Sequence, residues 1–105
     1  MPDKAWKAFE RRVAGLLGGR RLGPTGDDGP DVVTSWLSVQ CKLRTSVPAW
    51  ILDAVDNARR GADTDRLGVA IIKRKNTLDR DSLVVLTLGD WIDWIEDKDE
   101  DNANR

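Results

Sequence analysis

Gln40 and Lys42 have types and spacing that could hold a metal ion against a phosphate group. Residues 36–44 alternate between apolar and polar, which predicts a strand with Gln40 and Lys42 on one face. Asp31 precedes Gln40 by eight intervening residues, so a hairpin could bring it beside them. Carboxylate and amide oxygens suit Mg²⁺, and an ammonium group can orient a water or stabilise developing charge. The spacing therefore indicates metal-assisted phosphate hydrolysis, although any half-exposed strand can carry polar residues at alternate positions.

A further carboxylate, Glu10, falls at the edge of an apolar helix stripe. A helix is predicted from about residue 3 to 17, because large apolar residues recur at three- and four-residue spacing: Trp6, Phe9, Val13 and Leu16 or Leu17. Glutamate is unusual at such a boundary. Two interpretations stay open: Glu10 belongs to the same site as Asp31, or it is a boundary residue paired with a neighbour such as Lys7.

The composition excludes several other chemistries. The chain of 105 residues has no His, no Tyr and one Cys. Ser/His/Asp triads, Cys/His pairs, His or multi-Cys zinc sites and disulfides within the chain are therefore excluded. Cys41 shares its predicted strand face with aliphatic residues, so we expect a small core residue and not a reactive thiol.

The net charge of −1 conceals two segments of opposite sign. Residues 1–76 carry 14 Lys and Arg against 9 Asp and Glu, whereas residues 77–105 carry 3 against 9. A basic body of this kind favours a phosphate-bearing partner such as DNA. No apolar run reaches the roughly 18 residues of a membrane span, and we expect an intracellular, cytoplasmic protein without a membrane partner.

The predicted elements follow the order α-β-β-α-β-β-α. A Gly- and Pro-rich loop over residues 23–30 precedes the strand at Asp31, and an unbroken apolar run over residues 67–72 predicts a strand covered on both faces. We expect an α/β fold, with a mixed sheet flanked by helices in one domain over residues 1–96. The acidic residues 97–105 are predicted to be a disordered tail.

Together, the helix-borne Glu10, the Gly-rich loop, Pro30-Asp31 and Gln40-Cys41-Lys42 resemble the PD-(D/E)XK nuclease superfamily. Within it, the chain is similar to the archaeal-type Holliday junction resolvases and their small phage relatives. The likeness covers roughly residues 5–75. It includes the segment Arg21-Leu22-Gly23-Pro24-Thr25-Gly26, in which an Arg precedes a small hydroxyl residue beside Gly.

The resemblance implies a restriction-endonuclease-like fold and a Mg²⁺-dependent DNA endonuclease, with Mn²⁺ as a substitute. It implies a branched DNA substrate and a homodimer, because two symmetric nicks need a two-fold axis. The catalytic positions would be Glu10, Asp31, Gln40 and Lys42, of which Glu10, Asp31 and Gln40 would hold the metal. Residues that contact substrate would be Arg21, Thr25, Arg44 and Lys73.

One departure from the family pattern is Gln40, where a Glu usually stands. A neutral amide can ligate Mg²⁺ but supplies no charge, so metal binding should be weaker unless Glu10, Asp27 or Asp28 contributes. This departure motivates an alternative, a DNA-binding module on the same fold without turnover. A second alternative is a repair or restriction-like endonuclease with no preference for four-way junctions.

Overall fold

The computed structural model describes residues 4–22 and 29–103, with side chains described as far as Lys98. Its contacts divide the chain into two compact units, Met1–Thr45 and Ser46–Arg105. The described elements form a small mixed α/β arrangement, so the α/β class and the predicted order of elements are confirmed, with one additional short strand. The described strands form two separate antiparallel sheets, whereas the sequence predicted one mixed sheet.

The first unit places one helix on a small antiparallel sheet. Its elements are α1 (Ala5–Leu17), β1 (Arg20–Arg21), β2 (Val32–Val33) and β3 (Ser38–Val39). The strands lie in the order β1-β2-β3, and α1 contacts both β1 and β2. The strand predicted over residues 36–44 is thus much shorter than its alternation pattern indicated.

The core of this unit lies between α1 and β2. Val13 and Ala14 of α1 are buried against Val32, which has no exposed surface. Trp6, although part of the apolar stripe of α1, is 41% exposed. The partly buried residues packed against this core are Phe9, Leu17, Val39 and Cys41, so Cys41 lies at the edge of the core and not within it.

Two glycines end α1, as their positions predict. Gly18 has a φ of 66°, in the left-handed region that favours glycine, and the Gly19 N–H donates to the carbonyl of Ala14 at 2.9 Å. Gly19 then passes so close to β2 that an added Cβ would collide with the carbonyl oxygen of Val33 and lie 2.8 Å from Cγ2 of Thr34. The turn from α1 into β1 therefore depends on a missing side chain.

We expect Gly19→Ala to lower the free energy of unfolding by about 1–3 kcal/mol, because the colliding atom belongs to a backbone that cannot move freely. Gly15→Ala is the matched control, since a Cβ at Gly15 meets nothing within 4 Å inside the same helix. That control should be stabilising by roughly 0.5–1 kcal/mol. Urea denaturation measures both, and equal stabilities would contradict the prediction.

The second unit contains two helices, a two-stranded sheet and a 3₁₀ turn. Its elements are α2 (Ala49–Gly61), β4 (Ala70–Ile72), the 3₁₀ turn Asp79–Asp81, β5 (Leu83–Val85) and α3 (Leu88–Ala103). β4 and β5 are antiparallel, and α2 packs against β4. The second helix of the predicted order is α2, which begins directly after Pro48.

The sheet of this unit is covered less than the sequence predicted. Val55 of α2 and Ala70 of β4 are buried, and a Cβ on Gly68 would lie 2.8 Å from the Arg59 backbone, so the chain approaches α2 closely there. Ile71, however, is 63% exposed. The prediction of a strand covered on both faces is wrong, because adjacent β4 side chains point to opposite faces and only one face meets α2.

The last helix begins directly after Thr87, which caps it, since the Thr87 Oγ1 accepts the Asp90 N–H at 3.2 Å. The Asp90 carboxylate accepts the Arg59 Nε–H at 2.8 Å. The helix continues to Ala103, through most of the segment predicted as a disordered tail.

Among the described residues, no helix has the length and apolar character needed to span a membrane.

Candidate functional site

A cavity in the first unit is lined by four of the eight site residues that the sequence analysis named: Glu10, Asp31, Lys42 and Arg44. Its volume is about 360 Å³, and it lies where α1, the start of β2 and the segment after β3 meet. Glu10 comes from α1, Asp31 from the residue before β2, and Lys42 from the segment after β3. The complete lining is Trp6, Phe9, Glu10, Asp31, Cys41, Lys42, Leu43 and Arg44.

Glu10 forms a buried ion pair with Arg21. The Arg21 Nε–H donates to Glu10 Oε2 at 2.7 Å, and the two side chains are 18% and 8% exposed, respectively. The partner suggested by the sequence, Lys7, lies elsewhere, with its Nζ 5.5 Å from the centroid of the Trp6 ring. Arg21 neutralises and orients the one charged side chain that is buried among the described residues, and its contact with substrate stays a prediction.

Asp31 is held by hydrogen bonds from both its backbone and its side chain. Its carbonyl accepts the Leu22 N–H at 2.9 Å, and its Oδ2 accepts the Cys41 N–H at 2.8 Å. Within the described part of the chain, Oδ1 accepts no hydrogen bond. The carboxylate is therefore fixed in orientation and keeps one oxygen available for a ligand.

The strand ladder shifts by one residue at Asp31, and this shift decides where Gln40 lies. The register pairs Val32 with Val39, yet the Asp31 N–H also donates to the Val39 carbonyl at 2.8 Å. An unshifted ladder would have placed Gln40 directly opposite Asp31. One-residue offsets of this kind turn a side chain away from the regular pleat. Gln40 is exposed and is not among the residues lining the cavity.

Lys42 and Arg44 supply positive charge at the cavity. Both are exposed, and neither forms an ion pair with the rest of the described chain. Their charges are thus available to an anion that enters the cavity beside the two carboxylates.

The remaining predicted site residues are distributed differently. Thr25 lies outside the described residues, as do Asp27 and Asp28. Lys73 belongs to the second unit, where its Nζ donates to Asp79 Oδ1 at 2.7 Å. Trp6 and Phe9, which the sequence assigned only to a helix stripe, line the cavity instead. The available signal was the position of Trp6 on α1, three residues before Phe9 and four before Glu10, since residues three and four apart share a helix face.

The pKa of the Cys41 thiol responds to the negative charge in this cavity. Its pKa is raised above the ordinary thiol value, first by burial and then by the negative charges of Asp31 and Glu10. The thiolate is therefore disfavoured, which agrees with a small packed residue and not with a nucleophile. Both carboxylates lie close enough to act on the same sulfur.

Alkylation of Cys41 tests this electrostatic arrangement. Because the pKa is raised, the pH midpoint for reaction with iodoacetamide should be higher in the folded protein than in the urea-unfolded chain. Asp31→Asn should lower that midpoint by removing one of the two charges, and the exposed Asp53→Asn should leave it unchanged. Equal midpoints for folded and unfolded protein would show that the carboxylates do not act on the thiol.

The oxygen atoms available in this cavity are of the chemical type that Mg²⁺ prefers as ligands. Glu10 and Asp31 offer hard carboxylate oxygens, and Mg²⁺ commonly binds through one or two protein carboxylates while keeping several waters. Among the described residues, no group of three or more His, Cys, Asp or Glu is arranged to hold a metal ion. Protein ligation by Glu10 and Asp31 would therefore leave positions for water and for a substrate phosphate.

Comparisons with protein-family models, with curated proteins and with solved structures found no match for this chain. The likeness to the PD-(D/E)XK superfamily accordingly rests on the residues that carry it, namely Glu10, Asp31, Gln40 and Lys42.

Proposed function

We propose that the cavity of the first unit hydrolyses phosphodiester bonds in DNA with Mg²⁺, for which Mn²⁺ can substitute. One observation carries this proposal: Glu10, Asp31 and Lys42, from three separate parts of the chain, line a single cavity. Two carboxylates beside an ammonium group that forms no ion pair with the described residues match the requirements of metal-assisted phosphate hydrolysis. The basic charge of residues 1–76 supports DNA as the source of the phosphate.

Each residue has a distinct part in this proposal. Asp31, held by the Cys41 N–H, presents its Oδ1 to the metal, and Glu10 adds a second carboxylate that Arg21 keeps oriented. When bound, Mg²⁺ polarises the phosphate and lowers the pKa of its water. Lys42 orients that water or stabilises the charge that develops on the phosphate, and Arg44 contacts the neighbouring phosphate.

The family assignment belongs to the same proposal. We propose a restriction-endonuclease-like fold related to the Holliday junction resolvases, supported by the element order and by Pro30-Asp31 and Gln40-Cys41-Lys42. A branched DNA substrate, a homodimer and an intracellular, cytoplasmic location follow from that relationship. A strictly monomeric mass by light scattering at assay concentration would count against resolution of four-way junctions.

Cleavage assays test the proposal directly. The purified full chain would be incubated with Mg²⁺, Mn²⁺ or EDTA on a four-way junction, a flap, a duplex and single-stranded DNA. We expect metal-dependent nicks, strongest on the four-way junction. Cleavage of all four substrates alike would favour the repair or restriction-like alternative, and no metal-dependent cleavage of any substrate would overturn the enzyme proposal.

A DNA-binding module without turnover is the second candidate. Two observations favour it: Gln40 is neutral and exposed, and Glu10 already has an ion-pair partner in Arg21. Asp31→Asn and Lys42→Ala separate the two candidates, because both should abolish cleavage by an endonuclease and leave DNA binding intact. Binding of DNA by the parent chain without metal-dependent cleavage would favour the module.

A further inference from the structure

The second unit has a groove of its own, and its lining includes apolar side chains. Its volume is about 500 Å³. Trp50, on the first turn of α2, is 59% exposed, and Leu83 of β5 is 64% exposed. Ile72 of β4 also lines the groove and is paired with Leu83 across the sheet. A large flat indole face is thus presented to solvent beside two aliphatic side chains.

The lining of this groove also includes cationic side chains. Lys73 and Arg74 both line it, and Lys75 follows in the chain. Lys73 pairs with Asp79, whose side chain is 93% exposed, whereas Arg74 forms no ion pair with any described residue. Asp81 is the one carboxylate in the lining. The groove therefore combines an exposed tryptophan with one guanidinium, that of Arg74, which forms no ion pair with the described residues.

The turn that carries these cations is built by local hydrogen bonding. Asn76 has a φ of 66°, and the Thr77 Oγ1–H donates to the Arg74 carbonyl at 2.7 Å. Asparagine tolerates this left-handed conformation better than most residues. The backbone at Arg74 is thus preorganised in the groove lining, which reduces the conformational entropy that this segment would lose on binding a ligand.

We propose that this groove binds unpaired bases of single-stranded DNA, with a base stacked on Trp50 and its phosphate at Arg74. A ligand for these surfaces must be both planar and anionic, which describes a nucleotide. Duplex bases are already stacked on each other and cannot reach an indole face, whereas unpaired bases can. The choice of DNA over RNA rests on the proposed function, but the groove itself requires neither cleavage nor a metal.

Equilibrium binding in EDTA tests this proposal separately from catalysis. Fluorescence anisotropy would compare an oligothymidine of about 12 nucleotides with an abasic strand of equal length, which keeps the phosphates and lacks the bases. The full chain should bind the oligothymidine more tightly. Trp50→Ala should weaken that binding by about 5- to 150-fold and leave the abasic strand unaffected, while Trp50→Phe retains most of the affinity.

Charge is tested with a second pair of variants. Arg74→Ala should weaken both strands alike and reduce the slope of log affinity against log salt by about one, because one phosphate contact is lost. Arg80→Ala removes an exposed cation outside the groove lining and should change little. Leu78→Ala likewise controls for Trp50, since Leu78 is 66% exposed and lies outside the lining.

Several results would overturn the groove proposal. They are equal affinity for the two strands, no binding of either strand, unchanged oligothymidine affinity in Trp50→Ala, or a preference for duplex of the same length. Tighter binding of an oligouridine than of the oligothymidine would assign the groove to RNA and contradict the choice of DNA. Because every measurement is made in EDTA, loss of cleavage in the Mg²⁺ assay leaves these outcomes unchanged.

Discussion

Asp31→Asn should lower the rate of Mg²⁺-dependent DNA cleavage by at least about 100-fold, because metal catalysis of this type contributes several kcal/mol to the stabilisation of the transition state. Asn keeps the oxygen that accepts the Cys41 N–H, so the local hydrogen bond can survive the change. What is lost is the negative charge and the ligand strength of Oδ1. Single-turnover cleavage with saturating enzyme measures this effect without contributions from product release.

Asp53→Asn is the matched control for this experiment, since Asp53 is an exposed carboxylate of α2 that lines none of the described cavities. It should cleave at the parental rate. Thermal unfolding and DNA affinity in EDTA should be the same for the parent and both variants. If Asp31→Asn cleaves as fast as Asp53→Asn, Asp31 is not a metal ligand, and the proposed metal-assisted hydrolysis in this cavity is wrong.

Arg21→Ala should be the most destabilising of the single substitutions considered, by about 3–5 kcal/mol, because it leaves Glu10 buried and without its counter-charge. Glu10 is 6% exposed and the pair distance is 2.7 Å, so water cannot readily replace the guanidinium. Guanidinium denaturation followed by tryptophan fluorescence measures the loss.

Arg20→Ala is the neighbouring control, because Arg20 is an exposed residue of the same strand with no ion pair to the described chain. It should change stability by less than about 0.5 kcal/mol. The double variant Glu10→Met/Arg21→Met should recover most of the stability lost in Arg21→Ala, since apolar residues of similar size can replace a buried pair at little cost. No recovery would show that packing, and not an uncompensated charge, explains the loss.

Local signals in the sequence were sufficient for the helices α1 and α2. Gly18 ends the first because it adopts the left-handed backbone conformation that favours glycine. Pro48 directly precedes the second, where the amide hydrogen that proline lacks is not needed. The strands were predicted too long. Alternation over residues 36–44 indicates which side chains can share a face, but the length of β3 depends on the backbone partners that β2 offers.

The sequence alone limited the chemistry open to this chain and proposed side chains for it. The absence of His and Tyr left carboxylates, an amide and a lysine, and the spacing singled out Asp31, Gln40 and Lys42. The family resemblance added Glu10, and the structure places Glu10, Asp31 and Lys42 around one cavity. Only the tertiary structure decided that Arg21 is the partner of Glu10 and that Gln40 lies outside the cavity lining. Which residues form an ion pair depends on which side chains are close in space. Whether a strand pairing is offset by one residue depends on the opposite strand. Neither can therefore be inferred from residue types along the chain.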